Sequence, residues 1–161
     1  MNKQNNILFS TFDYIIIATS GFLLLFSWLY VIIEYPNLPE RIAVHFDAAG
    51  NPNGHNKKHA IWLAPIIFTA LTVGLIFGAK NPKLLDFSNK IKNLQDEISQ
   101  SKILLFSSLL LSSILCIIVF SMIKTSTNKT INMSWILPSL LTFIGIYLSV
   151  IFYYYLKTLK K

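Results

Sequence analysis

The chain has 161 residues, of which 53% are hydrophobic and 13% charged, with a formal net charge of +7. A soluble domain carries roughly a quarter charged residues to keep its surface wet, so this composition excludes a water-soluble globule. The positive charge calls for no nucleic-acid partner, because lysines flanking apolar spans toward anionic lipid produce it, and no nucleic-acid motif is present.

In chain order, residues 1–13 read as a tail, closed by Asp13 where a helix N-terminus favours negative charge. Tyr14 to Ile33 is the first charge-free run, and three more follow at Ala60–Ala79, Ile103–Ile123 and Trp135–Leu156. Each has about 20 residues, enough at 1.5 Å per residue to cross roughly 30 Å of hydrocarbon. Lipid offers no partner to a free backbone N–H or C=O, so the spans must be helices. No A-x-A cleavage pattern follows the first run, which is therefore expected to be an uncleaved helix. The predicted fold is an all-α integral membrane protein: a four-transmembrane-helix bundle with a structured outer loop between spans 1 and 2.

Basic residues set the expected orientation. Lys3, Lys80, Lys83, Lys90, Lys92, Lys102, Lys157, Lys160 and Lys161 fall on one side of the bilayer. Arg41, Lys57, Lys58, Lys124 and Lys129 fall on the other. The side richer in lysine is the cytoplasm, which places both termini, including the tail 157–161, inside. Trp28, Tyr30, Tyr35, Trp62 and Trp135 approach the outer interface, and Tyr153 to Tyr155 the inner one. Trp62-Leu-Ala-Pro65 and Trp135-Ile-Leu-Pro138 open the second and fourth spans alike. Cys116 is the sole cysteine and lies mid-span, so no intrachain disulfide is possible.

The outer loop, residues 34–59, carries the most pattern. Pro36 and Pro39 end the first helix and favour an extended segment. Ile42, Val44 and Phe46 alternate with polar neighbours as in a short strand, their side chains expected against the helix ends. Residues 48–54 are turn-rich, and Asn51-Pro-Asn-Gly54 suits a tight turn with Gly54 at positive φ; Gly50 is a second glycine for such a conformation. His45, Asp47, His55 and His59 match no strong zinc spacing. His45 and Asp47 are expected to make hydrogen bonds that fix the loop. No metal, cofactor or catalytic residue is expected, since Glu34, Glu40, Arg41, His45 and Asp47 come with no hydrolase motif. The spans carry no charge at their centres, where ion-coupled carriers place one.

The inner loop, residues 84–102, has its own stripe: Leu84, Phe87, Ile91, Leu94 and Ile98 recur at intervals of three and four. It reads as a helix resting on anionic lipid or extending a span; a docking face for a cytosolic regulator is the functional counterpart.

The run from Tyr35 to Gly54, YPNLPERIAVHFDAAGNPNG, resembles the bacterial membrane family called domain of unknown function 1648. The matching positions are Tyr35, Pro36, Leu38, Pro39, Ile42, His45, Phe46, Gly50, Pro52, Gly54, Lys57 and Pro65. Asn81-Pro82-Lys83 is similar to a short polar segment common after the second span there, and the sequence departs at His55-Asn56, where relatives often carry Trp-Gly. The resembling unit spans residues 14–83, and 103–156 forms a second helical hairpin. The resemblance implies a bacterial cell-membrane protein like the SdpI-like group, which gives immunity to a peptide toxin and signals through a cytosolic repressor. Its partners would then be the lipid bilayer, a peptide toxin or envelope component outside, and a cytosolic regulator inside. A small transporter or membrane-complex subunit is the alternative. The loop residues expected to matter are Tyr35, Pro36, Pro39, His45, Phe46, Asp47, Gly50, Pro52 and Gly54.

Overall fold

The computed structural model describes residues 8–85, 94–127 and 134–159. Four helices form the bundle: α1 (Thr11–Glu34), α2 (Leu63–Lys80), α3 (Leu94–Thr127) and α4 (Ile136–Leu159). All four are long and apolar enough to cross a membrane. Between α1 and α2 the chain forms a two-stranded antiparallel hairpin, β1 (Arg41–Phe46) and β2 (Pro52–Lys57), entered and left through 3₁₀ turns at Tyr35–Asn37 and Lys58–Trp62.

The helices bury small polar residues among their core apolar ones and turn large apolar side chains outward. On α1, Ser20 and Ser27 are buried at 0% and 1% exposure, while Phe22 and Ile33 stand 65% and 66% exposed. Water would drive the opposite arrangement, so lipid is the solvent of these faces. These two hydroxyls are satisfied within their own helix: Ser20 donates to the Ile16 carbonyl at 2.9 Å and Ser27 to that of Leu23 at 2.9 Å.

The helix α3 is the axis of the bundle, packing on α1, α2 and α4. Small residues bring α1 and α3 close: Ser20 Oγ lies 3.4 Å from Ser108 Oγ, and Ser27 Oγ 3.1 Å from Cys116 Sγ. The indole of Trp28 donates to Thr69 Oγ1 at 3.0 Å and ties α1 to α2, while Ser107 and Tyr147, 2.7 Å apart, tie α3 to α4. The matching entry segments also take matching places. Trp62 and Trp135 immediately precede α2 and α4, and Pro65 and Pro138 occupy the third helical position of each.

At 34 residues, α3 is longer than the expected span of 103–123. It is about 51 Å long against roughly 30 Å of hydrocarbon. Residues 94–102 are the first turns of this helix, so this part of the inner-loop stripe extends a span, and ion pairs hold its polar end against its neighbours. Glu97, 6% exposed, pairs with Lys83 at 2.7 Å. Asp13, fully buried, pairs with Lys102. The same carboxylate closes a capping box, accepting from Ser10 N at 2.7 Å while Ser10 Oγ accepts from Asp13 N. The first helix therefore starts at Thr11, three residues before the apolar run, since its N-terminal carboxylate is locked from two sides.

A buried charge left without its partner is strongly destabilising, whereas replacing both partners by apolar groups is often tolerated. Asp13→Ala should therefore lower stability by about 3 kcal/mol, and Asp13→Leu combined with Lys102→Met should recover most of it. Equilibrium unfolding in mixed micelles measures both; a double variant as unstable as the single one would show that the pair does not act as a unit.

Candidate functional site: the hairpin and its cleft

The hairpin is seated on the helix ends by its apolar face. Ile42 is fully buried in a cluster with Val31, Leu38, Ile61, Leu115, Val119 and Ile123, and Val44 and Phe46 pack against that cluster. The alternation read in the sequence is thus a strand whose even-numbered side chains enter the bundle. Backbone chemistry adds a fixed point: Ala43 N donates to Ser126 Oγ, on the last turn of α3, at 3.0 Å. Around the entry, Tyr35 and Trp62 lie 5.2 Å apart between ring centroids, with Lys58 Nζ 5.5 Å from the Tyr35 ring.

The turn falls earlier in the chain than Asn51-Pro-Asn-Gly54. It is built on Asp47: one carboxylate oxygen accepts from Ala49 N at 2.9 Å and Asn51 N at 2.8 Å, and the other from the Asn51 amide at 3.2 Å. Gly50, at φ 81°, supplies the left-handed residue. Asp47 preorganises the turn through its side chain, so residues 52–57 are released to pair as β2. Gly54 consequently sits in a strand opposite His45. Its glycine gives room to His45, since a Cβ there would lie 3.0 Å from His45 Cβ and 3.2 Å from His45 Cδ2, closer than side chains ordinarily pack. His45 acts by lying across Gly54, where a hydrogen bond was expected.

The outward face of the hairpin and the end of α3 enclose a cleft of about 670 Å³ lined by Pro39, Arg41, Ala43, Pro52, His55, Thr125 and Ser126. An adjoining lobe of about 640 Å³ is bordered by Glu40, Arg41, His55, Asn56, Lys57 and His59. Pro39 and Pro52, singled out in the sequence, form cleft walls; Pro36 is exposed in the 3₁₀ turn away from them. Arg41 and His55 are shared by both lobes, while Thr125 and Ser126 had no signal in the sequence, because they are remote in the chain. No group of three or more His, Cys, Asp or Glu residues that could hold a metal is present among the described residues.

Residues 22–69 match the family model of a domain of unknown function, DUF1648. The DUF1648 match runs from the middle of α1 through the hairpin into α2, and so covers every cleft residue except those on α3. No curated protein and no solved structure matches the chain.

The stripe on the second loop is divided. Phe87 and Ile91 lie outside the described residues. Leu84, 63% exposed, belongs to a 3₁₀ turn at Pro82–Leu85, whereas Leu94 opens α3 and Ile98 is half-buried on it.

Two predictions concern the hairpin. Gly54→Ala should make it labile to limited proteolysis by driving the new methyl into His45, and adding His45→Gly should restore protection by removing the obstructing Cβ. Persistent lability in the double variant would place the cause elsewhere. Hydrogen bonds from the Asn51 backbone, the Asn51 side chain and the Ala49 backbone hold the Asp47 carboxyl below its usual range. Its contribution is therefore present above the unfolded pKa of about 3.9 and lost as pH falls through the lower folded value. Protection of the Ala49 and Asn51 amides, measured relative to their intrinsic exchange rates, should hold at neutral pH and fall only below about pH 4, and Asp47→Asn should abolish that acid step. An acid step of equal size in the variant would refute this origin.

Proposed function

We propose that this is a non-enzymatic bacterial cell-membrane protein whose outer hairpin recognises a peptide or envelope component, in the manner of the SdpI-like immunity and signalling proteins. The observation that carries this reading is the hairpin's construction. A folded cap is clamped to α1 and α3 by Ile42 and by the Ala43–Ser126 hydrogen bond, and it holds an open cleft over the bundle. A mere connector between two spans needs neither feature. The lysine distribution supports placing the hairpin outside and both termini in the cytoplasm, where a cytosolic regulator would be met.

The non-enzymatic reading is supported by how the carboxylates are used. Glu40 is paired with Lys58 at 3.2 Å, and Asp47 is occupied by its own turn, so neither is placed as a base beside a nucleophile. The charges at the bundle's other end, Asp13 with Lys102 and Lys83 with Glu97, neutralise each other in pairs. That favours a receptor over an ion-coupled carrier.

The test uses a deletion strain complemented with single-cysteine versions in a Cys116→Ala background. Asn53→Cys, on exposed β2, should react with an impermeant thiol reagent on intact cells, and Leu84→Cys only after permeabilisation. The deletion should sensitise cells to at least one of a panel of membrane-active peptides. Wild-type protein should restore resistance, and a Gly54→Ala version of equal abundance should not. Labelling of Leu84→Cys from outside would overturn the orientation, and unchanged sensitivity to the whole panel would overturn the immunity role.

A further inference from the structure

The hairpin sets two exposed cations opposite each other with no carboxylate between them. Arg41 and Lys57 are register partners across the two strands, and like charges directly opposite each other repel. Neighbouring carboxylates do not relieve them. Glu40 is held by Lys58, and Asp47 is engaged by the amides of its own turn. Among the described residues, Arg41 and Lys57 form no ion pair with a carboxylate. A second, independent observation lies on α3. Thr125 is 7% exposed, yet its hydroxyl has no hydrogen-bond partner, although buried polar groups are nearly always satisfied. Its neighbour Ser126 is fully used, accepting from Ala43 N and donating to the Met122 carbonyl at 2.6 Å.

These features meet in one place. Arg41, His55 and Thr125 line the same cleft, and Arg41 and His55 continue into the lobe bordered by Lys57. We propose that this cleft is an oxyanion site that takes the phosphate group of an envelope component, with Arg41 as its charged partner, Thr125 Oγ1 as a hydrogen-bond donor, and His55 and Lys57 flanking. The proposal rests on the recognition reading above and names the chemistry of what is recognised. A bound anion would resolve both irregularities together, screening Arg41 from Lys57 and accepting from the buried hydroxyl. Donors carried on β1, β2 and α3 suit a tetrahedral anion, and arginine recognises phosphate with charge-assisted, directed hydrogen bonds. The position agrees: Thr125 and Ser126 are in the last turn of a membrane-spanning helix, so the cleft opens at the level of lipid headgroups. The phosphate can therefore belong to a lipid or to a soluble phosphate ester.

The experiment is thermal unfolding of the purified full-length chain in a phosphate-free neutral detergent, titrated with inorganic phosphate against sodium chloride at matched ionic strength. Phosphate should raise the melting temperature where chloride does not. Arg41→Gln should weaken the apparent affinity about tenfold, as expected for loss of a charge-assisted hydrogen bond. Thr125→Val should weaken it as well, while leaving the melting temperature without phosphate unchanged or higher, since it removes an unsatisfied hydroxyl; a purely structural hydroxyl would show the reverse. Repeating the titration in nanodiscs separates the sources. If phosphatidylglycerol abolishes the phosphate response, with or without phosphatidylcholine doing so, the site belongs to a lipid headgroup phosphate; a response as large in both lipids as in the neutral detergent assigns it to a soluble ester. No phosphate-specific shift, an equal shift from acetate, or responses unaltered in both variants would overturn the site. Loss of peptide resistance is scored separately in cells, so a failed immunity assay beside intact phosphate binding would refute the role and leave the site standing.

Discussion

The close approach of Ser20 to Ser108 fixes the separation of α1 and α3, and the remaining packing is arranged around that pair. Lipid provides no hydrophobic force to join helices, so association depends on contact distance and on hydrogen bonds unavailable from the solvent. Small hydroxylated residues supply both. Along α1 the polar positions Asp13, Ser20 and Ser27 recur every seven residues, and they meet Lys102, Ser108 and Cys116 in the same order on α3. Parallel helices with such a repeat keep one seam together along their length. The register is held at the end by the Asp13–Lys102 pair, because a shift of one turn would leave a buried carboxylate against apolar groups.

With that seam fixed, the surplus length of α3 acquires a purpose. Both overhangs engage the segments that connect the other helices. At one end Glu97 holds Lys83, just beyond α2, and at the other Ser126 receives the backbone of β1. The hairpin is therefore positioned by a helix residue, Ser126, that follows Ala43 by 83 residues, and its cleft has a wall from each. Phe120 on α3 continues this end as an aromatic cluster, its ring 6.1 Å from that of Tyr30 and 5.9 Å from that of Trp135. Aromatic rings of this kind favour the membrane interface. By contrast α4 packs chiefly on α3 and turns most of its surface to lipid, with Leu141, Ile146, Leu148 and Phe152 all exposed.

The hairpin shows how local and remote information combine. Its first strand was visible because one face is buried, and burial leaves a period-two trace in Ile42, Val44 and Phe46. Its second strand, Pro52–Lys57, is mostly exposed, so no apolar alternation marks it, and Asn-Pro-Asn-Gly carries turn propensities instead. Pairing with β1 overrode those propensities once the Asp47 side chain had closed the turn upstream. Gly50 was readable as a glycine at positive φ, whereas Gly54 needed the partner strand before its role against His45 had meaning.

By itself the sequence determined the solvent. Four charge-free runs of helix-spanning length, lysine at their flanks, tryptophan and proline at two entries and one alternating strand all record what each residue faces, and that preference is local. The tertiary structure alone decided which remote groups meet. Asp13 and Lys102 stand 89 residues apart, and neither carries a mark naming the other. Thr125 and Ser126 read simply as the polar end of a span, and became cleft residues because the α1–α3 seam delivers them to the hairpin. Such meetings are set by the register and separation of packed helices, which depend on shape along the whole interface; the seven-residue repeat on α1 marks a seam but does not name the helix that fills it.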